Sequence, residues 1–104
     1  MIKAVCMFKL PKGTNEEKFD DYFMNKHVID AKKLKFLKKY TVAKVINENN
    51  NGDYYFRINE LYYDSLEEAN QSFSSETAKL ATEDLLGRVI DFTCIFCEEE
   101  NIKL

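Results

Sequence analysis

Tyr54-Tyr55-Phe56-Arg57-Ile58-Asn59-Glu60-Leu61-Tyr62-Tyr63 is the stretch on which the architecture turns. It holds neither glycine nor proline and is rich in aromatic and aliphatic residues, as a strand requires. Side chains alternate along a strand, so Phe56, Ile58, Glu60 and Tyr62 face one way and Tyr55, Arg57, Asn59, Leu61 and Tyr63 the other. Large apolar groups fall on both faces, so neither reads as a plain solvent face.

The same two-faced pattern recurs at both ends of the chain. Residues Ile2 to Leu10 set Ile2, Ala4, Cys6, Phe8 and Leu10 against Lys3, Val5, Met7 and Lys9. A strand from about Val89 to Glu99 sets Phe92, Cys94 and Phe96 against Thr93, Ile95 and Cys97. A further strand from about Lys38 to Ile46 leads into the turn-forming run Asn47 to Asp53, which predicts a hairpin with the 54–63 strand.

Two helical stretches separate these strands. Pro11-Lys12-Gly13 ends the first strand, and Thr14 with Glu17 reads as a capping box. The helix it opens runs from about Asn15 to about Leu34. Phe19, Phe23, His27, Ala31 and Leu34 lie on its apolar face, with Tyr22 alongside. Acidic residues load its first half and lysines its second, which suits the helix dipole. Ser65 with Glu68 opens a second helix through Leu66, Ala69 and Phe73. The pattern falters at Ser74-Ser75 and resumes with Leu80, Ala81 and Leu85. The order is β-α-β-β-α-β, an α+β fold read as one domain over residues 1–104.

Two helices in so short a chain cover one face of a four-stranded sheet. The other face would leave a large apolar patch in water, which soluble monomers seldom carry. A homodimer that covers that face is therefore the expected assembly.

Of the 104 residues, 45% are hydrophobic, and the formal charge is −3. A nucleic-acid ligand calls for a basic excess, which the chain lacks. Its basic cluster (Lys32, Lys33, Lys35, Lys38 and Lys39) reads as a solvated helix end. No apolar run has membrane-spanning length, and Met1 leads straight into a strand rather than a signal peptide. No nucleic acid, no membrane and a cytoplasmic location are expected, with Cys6, Cys94 and Cys97 as reduced thiols. Cys94-Ile95-Phe96-Cys97 spells C-x-x-C, but on a strand its two sulfurs point to opposite faces. Neither a redox nor a metal role is expected of it.

Three segments carry a family likeness: Met1-Ile2-Lys3-Ala4-Val5, Phe19-Asp20-Asp21-Tyr22-Phe23-Met24-Asn25-Lys26-His27, and Glu60-Leu61-Tyr62-Tyr63-Asp64-Ser65-Leu66-Glu67. Together, and in that order, they resemble the EthD family. The resemblance implies a ferredoxin-like βαββαβ fold with a four-stranded antiparallel sheet, paired as a dimeric α+β barrel. One departure stands out, since His27 is followed by Val28 and Ile29 where the family often has a small residue and then proline. The family is functionally mixed, so the resemblance implies the fold more firmly than any activity.

His27 is the chain's only histidine, and imidazole is the natural proton shuttle near neutral pH. It reads either as a catalytic acid-base group or as a core histidine satisfied by a hydrogen bond. Glu60, a carboxylate on an otherwise apolar strand face, reads as its catalytic partner, as a second acid-base group, or as an interface ion-pair member. Tyr62, Phe8, Phe56 and Tyr22 are the candidate ligand wall. The leading expectation is an EthD-like enzyme without a cofactor, moving a proton on a small apolar carbonyl, lactone or aromatic compound. The alternatives are a non-catalytic dimeric ligand-binding or stress-associated barrel protein, and a monooxygenase or haem-binding relative with His27 as ligand.

Overall fold

The computed structural model describes residues 1–48 and 52–104. The chain runs β1 (Ile2–Lys9), α1 (Glu16–Tyr22), a π turn (Phe23–His27), α2 (Val28–Ala31), β2 (Lys39–Lys44), β3 (Arg57–Tyr63), α3 (Leu66–Phe73), α4 (Glu76–Leu86) and β4 (Ile90–Glu98). All strand pairs are antiparallel in the order β2-β3-β1-β4, the ferredoxin-like arrangement that the family resemblance implies. Part of the turn expected over Asn47–Asp53 lies outside the described residues. No helix among the described residues is long and apolar enough to cross a membrane.

The caps explain where the helices begin. Ser65 Oγ accepts from the Glu68 amide at 3.2 Å, as its spacing predicts. Ser75 Oγ does the same for Ala78 at 3.3 Å, which is why the helical pattern breaks and restarts at that serine pair. The first helix differs from expectation by one residue. Asn15, not Thr14, is the cap and accepts from the Lys18 amide, while Thr14 Oγ1 donates to the Pro11 carbonyl at 2.6 Å. Asparagine is the stronger cap of the two, so the helix starts after it.

Register settles which strand face meets the helices. Ala4 lies opposite Leu61 and Phe96, and Cys6 opposite Asn59 and Cys94. These positions, with Ile2 and Tyr63, form the helix-covered side. Toward the start of α1 the core is an aromatic cluster of Phe8, Phe19, Phe23 and Phe56, with neighbouring ring centroids 5.5 to 5.9 Å apart. Burying each such ring contributes about 2 to 3 kcal/mol. Toward the end of β3 the core is built on Ala4, Leu34, Leu61, Tyr63, Ala69 and Ala78. There Tyr63 and Ser72, both fully buried, share a hydroxyl hydrogen bond of 2.8 Å. Ser72→Ala strands the tyrosine hydroxyl in the core, so an expected loss of about 1 to 3 kcal/mol shows as a lower urea midpoint with an unchanged m-value.

Arg57, 8% exposed, holds α1 to the sheet through Asp20 at 2.9 Å, and Lys44 reaches the other Asp20 oxygen at 3.1 Å. The opposite parity (Val5, Met7, Ile58, Thr93, Ile95) has no helix over it among the described residues, and Ile95 is 51% exposed there. Lys3, Glu60, Tyr62 and Glu99 form a polar cluster on this same side. Lys3 Nζ bridges both carboxylates at 2.9 Å, and the Tyr62 hydroxyl donates to Glu60 at 3.2 Å.

Candidate active site

Phe19, Phe23, His27 and Ala31 are spaced by fours. On a regular α-helix such a stripe drifts by about 40° at every step, which would carry Ala31 off the face that Phe19 occupies. The π turn cancels the drift. The Val28 amide bonds back to the Phe23 carbonyl, five residues earlier, and this wider turn brings the stripe back onto the sheet. Such insertions are frequent at functional sites. Here the consequence is local and concrete: His27 stacks on Phe23, centroids 5.2 Å apart and 18° from parallel, and faces into the protein.

It faces a cavity of about 50 Å³ between sheet and helices. Ala31, Leu34, Leu61, Leu85 and Phe92 make the apolar wall, and Tyr40, Asn59 and Thr82 add polar groups. Among the described residues, His27 Nδ1 and Asn59 Oδ1 are the buried side-chain polar atoms with no hydrogen-bond partner. Both residues line this cavity. Stranded buried polar atoms are costly, and two at one void mark a place where something else supplies the bonds.

The protonation states follow from the surroundings. Burial pushes the His27 pKa below its ordinary value, against the smaller opposing pull of Asp30, Asp84 and a hydrogen bond to the Ala81 backbone. The ring is therefore neutral at pH 7. With one nitrogen engaged by Ala81, Nδ1 offers a lone pair to the cavity. Burial pushes the Tyr40 phenol up to about 12, so it stays a hydrogen-bond donor.

This has a consequence for stability. Below about pH 6.5 the unfolded chain takes up a proton at histidine before the folded chain does. Stability from neutral His27 is thus complete above that pH and declines as pH falls toward the folded-state pKa. Urea unfolding across pH 5 to 8 should show a decline in wild type that is smaller in His27→Asn.

An outer groove of about 420 Å³ adjoins the cavity and shares Phe73, Ala78, Thr82 and Phe92 with it. Between them lies a disulfide joining Cys6, on the cavity, to Cys94, on the groove. This corrects the expectation of three reduced thiols. The two cysteines are 88 positions apart in sequence but directly opposite in register, with Cα atoms 4.1 Å apart. Cys97 remains a free thiol on the other face, as alternation within the C-x-x-C run predicts.

Of the residues singled out from the sequence, His27 lines the cavity and the others do not. Glu60 and Tyr62 sit on the helix-free side in the Lys3 cluster, so the sheet itself separates them from His27. Glu60 does not orient the ring. Phe8 and Phe56 are 0% and 2% exposed in the aromatic core. Phe56 leaves the alternating pattern because β3 begins only at Arg57. Tyr22 donates to Asp84 at 2.6 Å with Arg88 stacked 3.8 Å from its ring, outside the cavity wall. Sequence reasoning missed Asn59 and Tyr40. Asn59 carried a usable signal, being a polar residue on the face shared by Leu61 and Tyr63.

No protein-family model matches the chain. An uncharacterised 11.0 kDa protein of the thcB-thcC intergenic region of Rhodococcus erythropolis is 26% identical over 85 residues, covering 81% of this chain and 82% of that protein. Among solved structures, an EthD family protein from Bacillus halodurans superposes with a TM-score of 0.83 at 21% identity, over 96% of this chain and 99% of its own. A dimeric ferredoxin-like protein of unknown function from Bacteroides fragilis follows at 0.71 and 19%, over 94% and 95%. A hydroxynitrile lyase from Passiflora edulis matches at 0.72 and 10%, over 98% and 96%. The fold is thus one found both in EthD family proteins and in enzymes.

Proposed function

We propose that residues 1–104 form an EthD-like domain that works as a homodimer and catalyses proton transfer on a small carbonyl compound without a cofactor. The observation that carries this reading is the pair of unpartnered buried atoms, His27 Nδ1 and Asn59 Oδ1, at one cavity. A carbonyl compound with an acidic C–H would meet both residues, its C–H against the Nδ1 lone pair and its oxygen against the Asn59 amide turned to present Nδ2. The neutral Nδ1 takes the α-proton, and the C–H electron pair becomes the enolate. A donor from Tyr40 or the Asn59 amide, whose oxygen and nitrogen are interchangeable by a flip, meets the developing oxyanion. The imidazolium then returns the proton to the same or a neighbouring carbon.

Size restricts the substrate. Benzene occupies an apolar cavity of about 150 Å³, so a void of about 50 Å³ takes only a small polar head. The apolar remainder would lie along the groove past Phe73 and Phe92. The reading is tested by proton NMR in D₂O with short ketones, lactones and aryl ketones. Catalysed α-proton exchange that saturates with the ketone and is lost in His27→Gln supports it. Saturable binding without exchange favours the non-catalytic ligand-binding barrel, and neither binding nor exchange overturns both.

The homodimer rests on separate support. The helix-free face carries Val5, Met7, Ile58 and Ile95, and a structural neighbour is described as dimeric. Light scattering should return a mass near two chains. A clean monomer at micromolar concentration would sink this part.

A further inference from the structure

Five of the eight residues from Lys32 to Lys39 are lysines, and none is acidic. With ten basic and eighteen acidic side chains outside it, the rest of the chain carries −8 against +5 for this segment. The segment follows α2 and is pinned by Leu34, in the core, and Leu37, packed against it. Lys32, Lys33, Lys35, Phe36, Lys38 and Lys39 are all exposed.

The lysines are weakly engaged. Among the described residues, Lys32 and Lys35 have no carboxylate within 4.0 Å, whereas Lys33 lies 4.0 Å from Asp30 and Lys38 3.6 Å from the exposed Asp64. Asp30 is already held by Lys26. In their midst Phe36 is 38% exposed and has φ of +67°, a conformation that L-residues with bulky side chains rarely adopt. The fold thus holds an apolar ring at the surface, with Lys35 Nζ 5.7 Å from its centre, in a backbone state that favours glycine.

We infer that the 32–39 segment, the loop after α2 together with the first residue of β2, is a docking surface for an anionic lipid bilayer, with the lysines on the headgroups and Phe36 at the interface. Charge complementarity selects the partner. A body carrying −8 is repelled by an anionic surface except where the +5 loop leads, so the molecule would dock loop first. A nucleic-acid strand offers the same phosphates, but its length would run on against the acidic body. This is peripheral contact, compatible with the absence of a membrane-spanning helix among the described residues.

Sedimentation of the full chain with vesicles tests it. Binding is expected to phosphatidylcholine vesicles containing phosphatidylserine, and to fall as salt rises from about 0.1 to 0.5 M. Vesicles of phosphatidylcholine alone should leave the protein in solution. Lys32→Glu with Lys35→Glu should lower partitioning by about 25-fold or more. Phe36→Gly separates structure from binding, since it relieves the backbone and should keep or raise the Tm while partitioning drops several-fold. Equal binding to both vesicle types, binding that neither variant weakens, or tighter binding to single-stranded DNA at the same salt would each overturn the proposal.

Discussion

Replacing His27 with glutamine is expected to slow α-proton exchange by about 10²- to 10⁴-fold, the range for loss of a positioned general base. Glutamine keeps an amide donor for the Ala81 backbone but has no group that takes a proton near neutral pH. The wild-type rate should be flat above pH 6.5 and decline below it, because only neutral imidazole accepts the proton. Since burial lowers the His27 pKa, the decline should begin at a lower pH than a free histidine would give. Residual exchange in the variant should lose this inflection. A variant with the wild-type rate and profile would remove His27 from the mechanism.

Phe23→Ala is expected to cost about 3 to 5 kcal/mol, as large-to-small changes in tight cores do. Phe23 is fully buried and touches Phe8 at 5.6 Å, Phe19 at 5.9 Å and His27 at 5.2 Å between centroids. The Arg57 guanidinium lies 5.5 Å from its centre. These neighbours come from a strand, a helix and the π turn, so no single shift refills the space. A chain of this size has roughly 5 to 15 kcal/mol of stability in all, so the loss takes a large share. Removing the ring also removes the surface on which His27 is stacked. The variant should therefore unfold at markedly lower urea and, under native conditions, show a His27 pKa nearer its ordinary value. Leu80→Ala, at a side chain 58% exposed, should stay within about 0.5 kcal/mol of wild type.

The legible part of this protein was its local chemistry. The cap at Ser65, the alternating strands and the break at Ser74-Ser75 all depend on neighbours a few residues away, and all could be read in order. His27 could be placed on the apolar stripe for the same reason. What could not be read was which strand parity meets the helices. Glu60 and Asn59 are adjacent in sequence, and both are polar residues in an apolar strand. Choosing between them as partner for His27 requires knowing which side the helices occupy.

The sequence by itself determined the element order, the α+β class and the presence of a sheet face that two helices leave open. These follow from periodicity and capping, which act over one or two turns of chain. Only the tertiary structure decided that Asn59 and Tyr40, rather than Glu60 and Tyr62, share the cavity with His27, and that Cys6 meets Cys94. Such pairings depend on register between strands as much as 88 residues apart. A shift of one residue in that register sends every side chain to the opposite face.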